Sequence, residues 1–126
     1  MATRVATKAQ TAPAGARLAI DPTELGAHAE MAAALLRAMG GKSRLLVLCN
    51  LVDGERSVGE LQRIVGLSQS ALSQHLAVLR RSKLVETRRD AQTIYYRLAG
   101  GAASAVLETL HGIYCSPSAG GKSRRR

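Results

Sequence analysis

The sequence predicts a mainly α-helical chain with one β-hairpin, a winged helix-turn-helix that forms a homodimer through its first and last helices. Three features lead there. Residues Ser57 to Leu79 read as two short helices joined by a tight turn. Residues Lys83 to Leu98 switch from helical to alternating periodicity. Positive charge gathers on the second of those helices and on the hairpin segment after it.

The first feature is built from caps and a leucine stripe. Ser57 can cap a helix with Glu60 three residues on, which makes a capping box. Leu61, Ile64 and Val65 come next at helical spacing, and Gly66 supplies the permissive backbone of a turn. Ser68 can cap the next helix, whose Leu72, Leu76 and Leu79 repeat at i, i+4 and i+7. That leaves Gln69, Ser70, Ser73 and Gln74 facing outward. A helix that buries leucines and presents short amides and hydroxyls suits the DNA major groove. His75 packs or contacts phosphate at this recognition helix, and Arg80 stands near its end.

The second feature is a hairpin. Leu84 to Arg89 and Thr93 to Leu98 are β-rich runs separated by Asp90-Ala91-Gln92. Ile94, Tyr96 and Leu98 share one face; Thr93, Tyr95 and Arg97 share the other. A hairpin after a recognition helix is a wing, and Arg88 and Arg89 near its tip could reach phosphates or an adjacent minor groove.

The third feature is the charge. The chain of 126 residues carries a net +9. Between residues 68 and 97 six basic side chains (Arg80, Arg81, Lys83, Arg88, Arg89, Arg97) face only Glu86 and Asp90. This is the footprint of a phosphate-binding surface, with a solvated charge run as the alternative. Partners are therefore expected to be double-stranded DNA and a second copy of the chain.

The remaining segments complete one domain over residues 21–115, flanked by a disordered basic arm (1–20) and a disordered basic tail (116–126). Asp21, Pro22 and Glu24 open a first helix with Leu25, Ala29, Ala32, Leu36 and Met39 on one face, stopped by Gly40-Gly41. Ser43 caps a second helix, Arg44–Val52, apolar nearly all round and hence expected inside the domain. Cys49 on it is expected to point inward or into an interface. A last helix runs from about Ala102 to Cys115 with Val106, Leu107, Leu110, Ile113 and Tyr114 as its apolar set. With the core closed before it, this helix needs another surface, and a two-fold dimer on palindromic DNA supplies one.

Composition bounds the rest. With no Phe or Trp, the core must come from Leu, Val, Ile, Ala and Met. No apolar run approaches the ~18–20 residues of a membrane span. MATRVATKAQ has no apolar signal core, so the expected compartment is the cytoplasm, where thiols stay reduced. No carboxylate pair, nucleophile–base set or phosphate loop points to an enzyme, and no cofactor is expected.

The order helix, helix, helix-turn-helix, wing, helix resembles the ArsR/SmtB family of winged-helix repressors over roughly residues 23–115. The residues carrying the resemblance are Ser57–Leu61, the run Gly66–Leu79, and the wing runs Leu84–Arg89 and Tyr95–Leu98. It implies a dimeric, effector-responsive transcriptional repressor. Many relatives have Gly at the wing tip where this chain has Ala91, which leaves the turn type open. Metal-sensing members carry thiols where this chain has Leu61-Gln62-Arg63, or an Asp-x-His set on the last helix that is absent here, so no resident metal is expected. What remains is Cys49 and Cys115, whose placement resembles the dithiol, persulfide- and redox-sensing branch (BigR/SqrR-like).

Spacing alone does not bring the two thiols together. The resemblance implies that they form an intraprotomer di- or polysulfide on exposure to reactive sulfur species or oxidants, lowering operator affinity. A direct disulfide needs Cα atoms within ~7 Å, and extra sulfur atoms span a wider gap. The bland alternative is a pair of inert small hydrophobes. His111, four residues before Cys115, opens a metal-responsive alternative with Cys49 as third ligand for Cu(I), Zn(II) or As(III). The bland reading of His111 is a half-exposed interface residue, and His28 on the first helix reads the same way. A third alternative is a non-specific DNA-binding protein without an effector.

Overall fold

The computed structural model describes residues 19–115. The expected tail over 116–126, and the expected arm over 1–20 except Ala19 and Ile20, lie outside the described residues. Two compact units are distinguished, the first ending at Ala32 and the second beginning at Ala33.

The single first helix expected from the sequence is in fact two. Asp21 caps α1 (Pro22–Ala27), its side chain accepting from the Thr23 amide at 2.9 Å, and α2 (Ala29–Met39) comes next. His28 separates them at φ −112°, its amide bonding Leu25 O three residues back at 2.9 Å. Gly26, weak in a helix interior, lies just before that break.

The second unit opens on the rest of α2, which buries Ala38 and Met39. Next is α3 (Lys42–Cys49), which is preceded by Gly41 at φ 109° and has no side-chain cap, so Ser43 lies inside the helix instead of capping it. The helix also stops earlier than Val52. Asn50 turns its side-chain amide back onto Leu46 O at 2.8 Å, a local bond that competes with helix continuation. Because α3 is apolar nearly all round, periodicity could not choose its inner face. The structure chooses Val47 and Leu48, joined by Leu51 just beyond, and leaves Leu46, Cys49 and Val52 exposed. Cys49 is thus not turned into the core of the protomer.

Arg56–Ser57 form β1, a two-residue strand too short to show alternation in the sequence. Ser57 then caps α4 (Val58–Val65) with the complete capping box. The Glu60 amide donates to Ser57 Oγ at 3.1 Å, and the Ser57 amide donates to Glu60 Oε1 at 2.8 Å. The bond from the Ser57 amide holds the Glu60 carboxyl below the usual carboxylate range. Gly66 ends the helix in the left-handed region, φ 70°.

Ser68 caps α5 (Gln69–Arg81), accepting from the Ala71 amide at 3.2 Å. Leu72, Leu76 and Leu79 are all buried. The helix closes with a Schellman arrangement: the Leu84 amide reaches Leu79 O and the Lys83 amide reaches Arg80 O, each at 3.0 Å. Lys83 takes the left-handed position, φ 62°, where Gly is usual.

The hairpin pairs β2 (Val85–Asp90) with β3 (Thr93–Leu98), from Val85 opposite Leu98 to Asp90 opposite Thr93. β1 adds to the far edge of β3, giving the order β1-β3-β2. The turn is therefore only Ala91-Gln92, with Ala91 at φ 58°. Val85 and Tyr96 are buried and Ile94 and Leu98 pack against the core. α6 (Ala102–Tyr114) buries Ala103 and Leu107 in that same core. The expectation that the core closes without the last helix is thereby corrected: its first half is core, and only its end is left out, with Ile113 52% and Tyr114 77% exposed.

Two substitutions test the turns in opposite directions. A Cβ at Gly66 meets nothing within 4 Å, so Gly66→Ala carries only the conformational penalty, about 1–2 kcal/mol of lost stability. Ala91→Gly relieves the same penalty at the wing tip and is expected to raise stability by about 0.5–1 kcal/mol. Thermal melts read both.

Candidate nucleic-acid interface and thiol site

α5 is rotated by its leucines. With Leu72, Leu76 and Leu79 buried, Gln69, Ser70, Ser73 and Gln74 are all exposed. They do not form one set. Gln69 and Ser73 line a groove of about 710 Å³ between α5 and the wing, with Ala77, Arg80, Arg81 and Gln92. Ser70 and Gln74 lie outside that lining. The floor of the groove is apolar (Val58, Leu76, Ile94, Tyr96), and no acidic residue lines it. Polar donors on a concave wall with two guanidinium groups at one end can read base edges and meet phosphates.

Two of the expected DNA contacts are engaged elsewhere, and a third is a cap. Ser68 spends its hydroxyl on the Ala71 amide. His75 is half-buried, with Nδ1 3.2 Å from Arg44 Nη1. Arg44 also donates from Nε to Ala38 O at 2.6 Å and from Nη2 to Arg37 O at 3.2 Å. A guanidinium only donates, so His75 accepts at Nδ1 and carries its proton on Nε2. Arg44 thus ties the end of α2 and the start of α3 to the recognition helix.

On the wing, Arg88 Nε lies 3.1 and 3.3 Å from the two carboxylate oxygens of Glu55, and Nη2 pairs with Glu55 Oε1. Its Nη1 is 3.8 Å from Asp90 Oδ2, and its guanidinium carbon sits 4.5 Å from the centre of the Tyr95 ring. The hydrogen bond from Arg88 holds the Glu55 carboxyl below its ordinary range. Arg89 and Arg80 are exposed, with no ion pair among the described residues. Neither Glu55 nor Arg44 stands out in the sequence, since both are paired by residues more than thirty positions away.

The thiols lie at the ends of two helices outside that groove. Cys49 ends α3 and Cys115 caps the end of α6; both are free and exposed. Partial burial pushes the Cys49 thiol above its ordinary pKa, and the nearby Cys115 charge pushes it further. Cys49 opens into a cavity of about 500 Å³ with Val52, Asp53, Ser104, Leu107, Glu108 and His111. Cys115 is not part of that lining, and among the described residues no three His, Cys, Asp or Glu side chains converge on a metal position. The structure does not assemble Cys49, His111 and Cys115 into one metal site.

A model of the bacterial regulatory proteins of the arsR family matches residues 41–87, the stretch from α3 through the helix-turn-helix into the wing. The transcriptional activator HlyU of Vibrio cholerae is 51% identical over 92 residues, covering 73% of this chain and 85% of that protein. The chain belongs to the ArsR family. Its fold agrees: reduced HlyU from Vibrio cholerae superposes with TM-score 0.69 at 50% identity, over 74% of this chain and 98% of that one. The transcriptional repressor BigR from Xylella fastidiosa superposes with TM-score 0.73 at 41% identity, over 76% and 98%. This ArsR-family chain is accordingly a DNA-binding transcriptional regulator with a winged helix-turn-helix, and not an enzyme. No helix among the described residues is long and apolar enough to cross a membrane.

The thiol geometry makes a pH prediction. In the reduced protein, the rate at which iodoacetamide alkylates Cys49 should rise with pH through a midpoint above the ~8.5 of free cysteine. Cys115→Ser removes the neighbouring charge, so the midpoint should fall, yet remain above the free value because burial persists. Peptide mass spectrometry across a pH series checks both shifts.

Proposed function

We propose that this regulator is a homodimeric, cytoplasmic repressor whose operator affinity falls when Cys49 and Cys115 of one protomer join as a di- or polysulfide. The observation that carries the reading is where the chain's two cysteines stand: both free and exposed, Cys49 at the end of α3 and Cys115 at the end of α6. The effector is a reactive sulfur species or an oxidant. With a hydropersulfide RSSH, the Cys115 thiolate attacks the terminal sulfur, the S–S bond breaks, RS⁻ leaves, and Cys115–S–SH remains. The Cys49 thiolate then attacks the Cys115 sulfur, forming Cys49–S–S–Cys115 and releasing HS⁻. The elevated pKa of Cys49 favours this order. A poor thiolate is a slow partner for a dilute reagent but tolerable for an intramolecular step at high effective concentration.

Exposed apolar residues support the dimer: Leu25, Met31 and Leu36 on the first two helices, and Ile113 and Tyr114 at the end of α6. Two-fold symmetry would set two recognition helices on a palindromic site, with Gln69, Ser70, Ser73 and Gln74 reading bases and Arg80 and Arg89 meeting phosphates. Joining α3 to α6 would change the angle between the two heads, and a coupling of about 1–3 kcal/mol lowers affinity about 5–150-fold.

Intact mass after polysulfide treatment, paired with a mobility-shift assay, tests the reading. Loss of two hydrogens, with or without added sulfur, should accompany release from DNA. Cys49→Ser and Cys115→Ser should bind DNA as the parent does and not respond, Cys49→Ser retaining a persulfide on Cys115. A variant that still releases DNA sinks the dithiol mechanism. A non-specific DNA-binding protein would show no preferred site once salt removes bulk DNA, whereas a repressor retains its palindrome.

A further inference from the structure

Arg88 and Arg89 are neighbours at the tip of the wing, and from the sequence they are equivalent. The strand makes them opposites. Successive side chains of a strand point to opposite faces. Val85 is buried, so the odd positions of β2 up to Arg89 share the face of β3 that carries Ile94 and Tyr96, through the register Arg89 opposite Ile94 and Thr87 opposite Tyr96. Ile94 and Tyr96 line the groove along α5. Arg89 therefore stands on the side of the wing that faces the recognition helix. Arg88 shares the other face with Glu86, Asp90, Thr93, Tyr95 and Arg97.

That other face is a poor place to receive phosphate. Every nitrogen of the Arg88 guanidinium already looks at a carboxylate: Nε and Nη2 at Glu55, Nη1 at Asp90. The guanidinium carbon sits over the Tyr95 ring. The local sum of Glu55, Arg88 and Asp90 is one net negative charge, and Arg97 beside them is drawn to Glu86 at 3.4 Å. Glu55, in turn, immediately precedes β1, the edge strand that pairs with β3. It belongs to the connection running from α3 into α4. There, Arg56 Nε also donates to Asn50 O at 3.0 Å.

We propose that Arg88 is a positioning residue: held by Glu55 over Tyr95, it fixes the wing to the α3–α4 connection and so sets the height of Arg89 over the DNA backbone, without itself meeting phosphate. The fork geometry suits this task. Two donors from one planar group to one carboxylate fix an orientation as well as a distance. The inference rests on the chain being a DNA-binding protein and is independent of the thiol mechanism.

The test uses the full chain, reduced, and a fluorescein-labelled mixed-sequence duplex of roughly 30 base pairs, titrated by anisotropy from about 50 to 200 mM salt. A lost phosphate contact lowers the slope of log affinity against log salt by about 0.9 for each protomer engaged. Arg89→Ala should lower the slope in that way. Arg88→Ala should weaken binding a few-fold, about the fivefold that an exposed ion pair can supply, with the slope unchanged. Glu55→Gln should weaken it similarly, and the double variant should be no worse than either alone. Exchanging the charges, Glu55→Arg with Arg88→Glu, should recover binding. Thermal melts of each variant separate a loosened wing from an unfolded chain. The proposal is overturned if Arg88→Ala lowers the slope, if Glu55→Gln tightens binding by freeing the guanidinium, if Arg88→Ala leaves affinity unchanged, or if the charge exchange is weaker than either single change.

Discussion

The burial of Leu72, Leu76 and Leu79 is the constraint on which the rest depends. Each removes apolar surface worth roughly 1.5–3 kcal/mol from water, and together they fix the rotation of α5 about its own axis. Once that angle is set, Gln69, Ser73 and Arg80 must look out across the groove towards the wing. A helix rotated by one residue would turn Ser73, Ala77 and Arg80, or Ala71, His75 and Val78, towards the core in place of the leucines. The reading surface is therefore a consequence of the packing surface.

Around that helix, polar contacts set directions instead of supplying bulk stability. The capping box at Ser57 and Glu60 fixes where α4 begins, and Gly66 and Ser68 fix the turn into α5. Arg44 ties His75 to the carbonyls ending α2. Glu55 and Arg88 do the same for the wing. The exposed Glu55–Arg88 pair contributes little to folding free energy. Its use is geometric, because a DNA-binding head works only if helix and wing meet the duplex together.

Cys115 ends a helix that the core holds by its first half, whereas Cys49 lies between the buried Leu48 and Leu51. α3 is anchored by Val47 and Leu48 and α6 by Ala103 and Leu107, while Cys49 and Cys115 lie where each helix stops. The end of α6 is therefore the less restrained of the two, and in the proposed repressor a bond from Cys115 to Cys49 would act on the orientation of α6. In the proposed repressor the exposed Ile113 and Tyr114 at that end pack against a second copy of the chain.

Local chemistry makes the helix-turn-helix legible. Caps, the breaking glycine, the leucine spacing and the alternation of β3 are each encoded within a few residues, and the structure places each where the spacing does. The break at His28, the early end of α3 and the left-handed Lys83 are not legible, because the deciding bonds involve backbone or an amide that also fits an ordinary helix. The inner face of α3 is hidden because an all-apolar helix offers no contrast. What only the tertiary structure decided is pairing across distance: β1 with β3, Glu55 with Arg88, and Arg44 with His75. Periodicity reports which way a side chain points from its own element. Only the packed chain determines what it meets there.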